Sequence, residues 1–141
     1  MAVDDTMSTA GLDDRVIPFA VPDLDVRGRV VRLGASIDTI LERHDYPEPV
    51  SRVLGEAAAL TVLLGTALKF EGRFQLQTKS DGAITMMVVD FNAPDNFRAV
   101  AHIDEAKLVE AIALGKVSTG ELLGEGHLAM TVDQGTATTR Y

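Results

Sequence analysis

The chain has 141 residues, 46% hydrophobic and 24% charged, with a formal net charge of −8. That length supports one domain with a real core, and no basic stripe exists to neutralise phosphates, which argues against nucleic acid and anionic lipid as main partners. With no cysteine, disulfides, thiolate nucleophiles and sulfur-ligated zinc are excluded from these residues.

The opening "MAVDDTMSTAGLDD" is acidic and rich in small residues, with neither a basic n-region nor an apolar h-region. It is not a signal peptide, so a cytoplasmic location is expected. Residues 1–18 read as a flexible acidic leader, punctuated at its end by Pro18 and Pro22, and residues 19–141 as the core domain. "DVRGRVVRL" (25–33) alternates as a strand, with Gly28 marking a bulge or a close contact. "SIDTILERH" (36–44) is a helix with Ser36 as its N-cap and Ile37, Ile40 and Leu41 on one face.

Pro47 and Pro49 end that helix and begin the next, over about 49–68. From Ala57 to Leu68 only Thr61, Gly65 and Thr66 interrupt the apolar residues. A membrane span needs about 20 such residues, whereas a run of 10–14 marks a buried helix. Arg52 and Glu56 in its first half point the same way. We therefore expect a core helix enclosed by other elements on nearly every side, with Gly55, Ala58, Ala59, Gly65 and Thr66 admitting close neighbours.

"RFQLQTKSDGAITMMVVDF" (73–91) reads as a hairpin about a two-residue Asp81-Gly82 turn with positive φ. That turn pairs Arg73 with Asp90, Phe74 with Val89, Leu76 with Met87 and Thr78 with Thr85. Phe74, Leu76, Met87 and Val89 then face the core. On the opposite face Gln75, Gln77 and Lys79 pair with Val88, Met86 and Ile84. Ile84, Met86 and Val88 form an apolar column there, either covered by another layer of the protein or left to hold apolar segments of other proteins. Methionine suits the second task, being flexible and polarizable.

"FRAVAHI" (97–103) follows the "NAPDN" loop as a third strand. "DEAKLVEAIALG" (104–115) is a helix with acids at its start and Gly115 as C-cap. "GHLAMTVDQGTATTRY" (126–141) is a second hairpin about Asp133-Gln134-Gly135. It stops at Tyr141 in mid-strand, which reads as a fragment of a longer protein. Catalytic patterns are sparse. His44-Asp45 are adjacent residues that point apart, and His102 and His127 lie far apart without ligand spacing. "LGKVSTGE" lacks the phosphate-loop pattern, and "GEGHLA" is only a broken piece of a dinucleotide fingerprint.

The combination "HDYPEPV" (44–50), an Ala/Leu-rich helix, "LKFEGRFQLQ" (68–77) and "DG" (81–82) closely resembles the thirty-three-kilodalton heat-shock chaperones of bacteria. The match runs from about Phe19 to Tyr141 and covers about the first half of the family's length. The resemblance implies an α+β fold of β-sheets packed around a buried central helix with further helices outside. It also implies a cytoplasmic, redox-regulated, ATP-independent holdase, not an enzyme, active under oxidative or heat stress. Its partners would be unfolded client proteins and a second copy in a homodimer.

In that family zinc sits in a separate C-terminal domain with four cysteines in CxC and CxxC pairs. No zinc ligand transfers to this chain, and zinc is expected only in the missing C-terminal part. Ile84, Met86 and Val88 remain the candidate client-binding residues, with no catalytic residue and no metal ligand. Two other readings stay open: a small-molecule enzyme using a pocket beside the central helix, with His44 or His102 near a carboxylate, and a plain self-association module.

Overall fold

A computed structural model of the chain describes residues 13–67, 72–92, 96–135 and 138–141. Arg15–Val21 (β1) and Val26–Arg32 (β2) form an antiparallel hairpin joined by a 3-10 turn at Pro22–Leu24. Two helices follow, Ala35–His44 (α1) and Glu48–Ala67 (α2). Arg73–Ser80 (β3), Ile84–Asn92 (β4) and Asn96–Ile103 (β5) come next, then helices Glu105–Ala113 (α3) and Thr119–Leu123 (α4). Gly126–Asp133 (β6) and Thr138–Arg140 (β7) complete an antiparallel five-stranded sheet of order β5-β4-β3-β6-β7. The architecture is α+β, as expected. Arg15–Pro18, read as leader, are instead the first half of β1, and residues 1–12 lie outside the described part.

Helix α2 lies on the inner face of the large sheet. Val50, Val53, Leu54, Ala57 and Ala58 pack against Ile84, Met87, Val89, Ala99 and Ala101. Farther along, Val62 meets Phe74, Leu76 and Phe91, with Val16 and Val31 of the hairpin closing that second cluster. Gly65 is required here, because a Cβ on it would stand 2.3 Å from the Phe91 ring. The buried Thr61 hydroxyl donates back to Ala57 O at 2.7 Å, so it carries no unmet polar group. Enclosure is incomplete, however: Arg52, Glu56, Leu60 and Ala67 form an exposed stripe, polar at one end and apolar at the other. By length and composition alone α2 could cross a bilayer; its buried stripe packs on the sheet.

Apart from Ile84, the β3–β4 hairpin keeps the expected faces but not the expected partners. Phe74 opposes Phe91, Leu76 opposes Val89 and Thr78 opposes Met87, a slip of two residues. A two-residue slip preserves the faces, since side chains alternate with period two. The cause lies at the turn. Asp81 N–H donates to Glu125 O, Gly82 N–H donates to Leu123 O, and the Asp81 carboxylate accepts from Glu125 N–H. The turn is recruited by the α4–β6 connection, and neither Asp81 nor Gly82 has positive φ.

Ends of elements show how local sequence is overridden or obeyed. Ser36 is not the N-cap of α1; Gly34 occupies that position, and the Asp14 carboxylate accepts from the N–H groups of Gly34 and Ser36. Asp104 caps α3 by accepting from Lys107 N–H at 3.1 Å. Gly115, at φ +67°, ends α3 as expected; its N–H donates to Ile112 O while Lys116 N–H donates to Ala111 O, the double bond pattern of a left-handed stop. Helix α4 was not foreseen, though Ser118 and Glu121 form a reciprocal capping box that the sequence displays. Gly135, at φ +80°, lies in the β6–β7 connection as expected.

Candidate functional site

The outer face of the large sheet carries the foreseen column only in part. A β-bulge on β4 shifts the pairing with β5 between Ile84, opposite Ile103, and Met86, opposite His102. The extra residue turns Ile84 into the core, where it is 0% exposed. Ile84 therefore cannot contact a partner, and its expected place on the outer column is corrected. Met86 and Val88 do face outward, half-buried, with Val100 of β5 beside Val88. Gln77 Nε2 lies 3.6 Å from Met86 Sδ.

Charge bounds this strip. At one end Arg73 grips Asp90 in bidentate fashion at 3.1 and 2.7 Å, Gln75 donates to the same carboxylate, and Arg98 stands 4.0 Å away. Burial pushes the Asp90 carboxyl upward, but the hydrogen bonds from Arg73 and Gln75 and the attraction of both guanidiniums outweigh it, so its pKa is lowered. At the other end stand Lys79, His102 and His127, all exposed. The strip is thus narrow and framed by polar groups.

A second apolar surface lies on the β1–β2 hairpin. Alternation puts Ile17, Phe19 and Val21 on the same face as Val26 and Val30, with Ile17 opposite Val30 and Val21 opposite Val26. These five side chains and Leu24 at the turn are 38–71% exposed. Phe19 pairs with Gly28, and a Cβ on Gly28 would fall 2.2 Å from Phe19 Cζ. The ring therefore lies flat on bare backbone, so Gly28 marks a close contact rather than a bulge. The signal is the period-two pattern "RVIPFAV…VRGRVVR", the first four residues of which fall in the expected leader.

Between the hairpin's other face and the exposed stripe of α2 runs an open cleft of about 780 Å³. Pro18, Ala20, Arg27 and Arg29 line one wall, and Leu60, Leu63, Leu64 and Ala67 the other. Among the described residues it holds two guanidiniums and neither histidine nor carboxylate. His44 lies elsewhere, its ring stacked on Tyr46 at 5.1 Å. The Tyr46 hydroxyl in turn accepts from Ala101 N–H at 3.0 Å and lies 3.2 Å from Ala101 O, closing part of the free edge of β5. Neither His44 nor His102 sits with a carboxylate in this cleft. Among the described residues no group of three or more His, Asp or Glu is placed to hold a metal ion.

Comparison with known proteins gives one consistent answer. The family model described as Hsp33 protein matches residues 14–141. The chain is 49% identical over 135 residues to a 33 kDa chaperonin of Caulobacter vibrioides, covering 94% of this chain and 44% of that protein. It is 38% identical over 115 residues to the 33 kDa chaperonin of Pseudomonas syringae pv. tomato, covering 82% and 37%. The crystal structure of a 33 kDa chaperonin from Thermotoga maritima superposes with a TM-score of 0.70 at 19% identity, over 89% of this chain and 44% of that one. The chain thus spans less than half the length of the relatives it matches.

Proposed function

The chain belongs to the Hsp33 family, and on that premise we propose that it supplies an apolar capture surface of an ATP-independent chaperone, a holdase for unfolding proteins. The observation that carries this reading is the β1–β2 face, on which Ile17, Phe19, Val21, Leu24, Val26 and Val30 stand together in solvent. Soluble proteins rarely leave so many adjacent apolar side chains open without a use.

Magnitudes fit a holdase. Covering a patch on the order of 400 Å² at about 25 cal/mol per Å² contributes ~10 kcal/mol before costs. Association and side-chain ordering consume most of that. Net binding is then modest and reversible, as suits release of a client for refolding. It requires apolar exposure in the partner, not a particular sequence.

The proposal extends to cytoplasmic location, response to heat and oxidative stress, assembly with a second copy, and no catalytic activity. Redox regulation through zinc needs thiolates, and this chain has no cysteine. Its residues do not fit that metal, so the switch is assigned to the remainder of the family's length and no step here runs through it.

The test is light scattering of a chemically denatured client diluted into buffer with this chain, without ATP. Slower aggregation at near-equimolar chain is the expected result. Unchanged scattering with this chain, and with the full-length protein both oxidised and reduced, rejects the holdase. Self-association is read by sedimentation of Phe19→Asp against the natural chain.

A further inference from the structure

We propose that the cleft between α2 and the β1–β2 hairpin receives an extended segment of an unfolding polypeptide in which carboxylates and apolar side chains alternate. This deepens the holdase reading and rests on it. The two walls differ in chemistry and face each other. Arg27 and Arg29 stand on the hairpin face that turns toward α2, the face on which Val16 and Val31 reach the core. Leu60, Leu63, Leu64 and Ala67 form the helical wall.

The repeat distances agree with one kind of occupant. Arg27 and Arg29 are two residues apart on one strand, so their roots lie about 6.6 Å apart, which is also the same-side spacing of any extended chain. In an extended segment successive side chains point to opposite sides. A segment lying in the cleft then sends every second side chain toward the guanidiniums and the intervening ones onto the leucines. Carboxylates suit the first set and aliphatic side chains the second. A helix would present one chemistry over each face at spacings of three and four and match the arginines poorly.

Charge supports this choice. The chain as a whole carries −8, yet Arg27 and Arg29 make no ion pair among the described residues, while Arg32 is held by Asp13 at 3.3 Å. Two guanidiniums beside an apolar wall, unpaired among the described residues, form a local positive site on an acidic molecule. An anionic membrane fits less well, because net negative charge repels it and a cleft with opposed walls does not lie flat on a bilayer.

The experiment measures fluorescence anisotropy of three labelled peptides with this 141-residue chain: alternating Glu and Leu, the same residues in two blocks, and alternating Lys and Leu. The alternating acidic peptide should bind about fivefold or more tighter than either control, a preference that falls with added salt. R27E/R29E should reverse the preference between the Glu and Lys peptides, and the milder R27Q/R29Q should abolish it, with circular dichroism and Tm unchanged. L60D should weaken all three.

Equal binding of the three peptides, or a preference that survives R27Q/R29Q, overturns the proposal. So does tighter binding to anionic vesicles than to the acidic peptide, or self-association that blocks the cleft. Suppressed aggregation without peptide preference overturns the cleft assignment and leaves the holdase reading. Peptide preference with aggregation unchanged by this chain and by the full-length protein, oxidised and reduced, supports the cleft's specificity and overturns the holdase reading.

Discussion

Asp14 and Ser36, twenty-two residues apart, are joined at the first turn of α1, where the Asp14 carboxylate accepts from both the backbone N–H and the hydroxyl of Ser36. The same carboxylate accepts from Gly34 N–H at 3.0 Å. A helix start is usually capped from within its own segment; here the cap arrives from the root of the β1–β2 hairpin, so one carboxylate secures both elements.

Asp14→Ala should therefore cost about 1 kcal/mol, the usual value of an N-cap, and should loosen the hairpin as well as α1. Urea titration gives the first quantity and amide exchange over 15–32 the second. The Ser36 hydroxyl, followed by the Gly34 N–H, holds the Asp14 pKa below its ordinary value of 3.8. A depressed carboxylate stabilises the fold above its unfolded pKa and loses that contribution as pH falls through the folded value. The gap between natural chain and variant should thus be full at neutral pH and close below pH 3.8.

The Arg73–Asp90 pair is expected to matter more than an ordinary surface pair, because Asp90 is only 13% exposed and its carboxylate is held by three side-chain hydrogen bonds. Asp90→Ala should cost roughly 1–2 kcal/mol. Its pKa is also lowered, so the same sign applies: the loss is read at neutral pH and shrinks in acid. Chemical denaturation at two pH values checks both statements.

Gly28→Ala should displace the Phe19 ring, since the new Cβ would occupy its position. The ring is the flexible partner, so the expected cost is about 1 kcal/mol or less, concentrated in the hairpin. Faster amide exchange in β1 and β2, with α2 and the large sheet unchanged, is the signature. A global loss of protection would contradict the picture of a ring resting on bare backbone.

Ile84 and Met86 separate core from surface. Ile84→Ala should cost about 2–5 kcal/mol, as deletions in a packed interior do, whereas Met86→Glu, at a half-buried position, should cost only about 1 kcal/mol. In client assays Phe19→Asp should weaken capture more than Met86→Glu. The opposite order, with both variants folded, would return the capture surface to the outer sheet face.

Periodicity made α2, both large-sheet hairpins and, Ile84 apart, the faces of β3–β4 readable, because burial on one side imposes a repeat of 3.6 or 2 on the residues themselves. What escaped depends on partners distant in the chain. The bulge beside Thr85 is defined by pairing with β5, and the wide turn at Asp81 by Leu123 and Glu125. The cap on α1 comes from Asp14. Of the foreseen surface residues, Met86 and Val88 face outward and Ile84 does not. The hairpin face is legible in its alternation, although the expected leader boundary at residue 18 falls inside β1.

Val16 and Val31 fasten the root of the β1–β2 hairpin to the interior, while Val21, Leu24 and Val26 at its tip stand clear. Mechanically this is a cantilever: the ladder between the two strands carries the bending load, and compliance rises from root to tip. The tip can conform to irregular shapes at little elastic cost while the packed layers behind it keep their geometry.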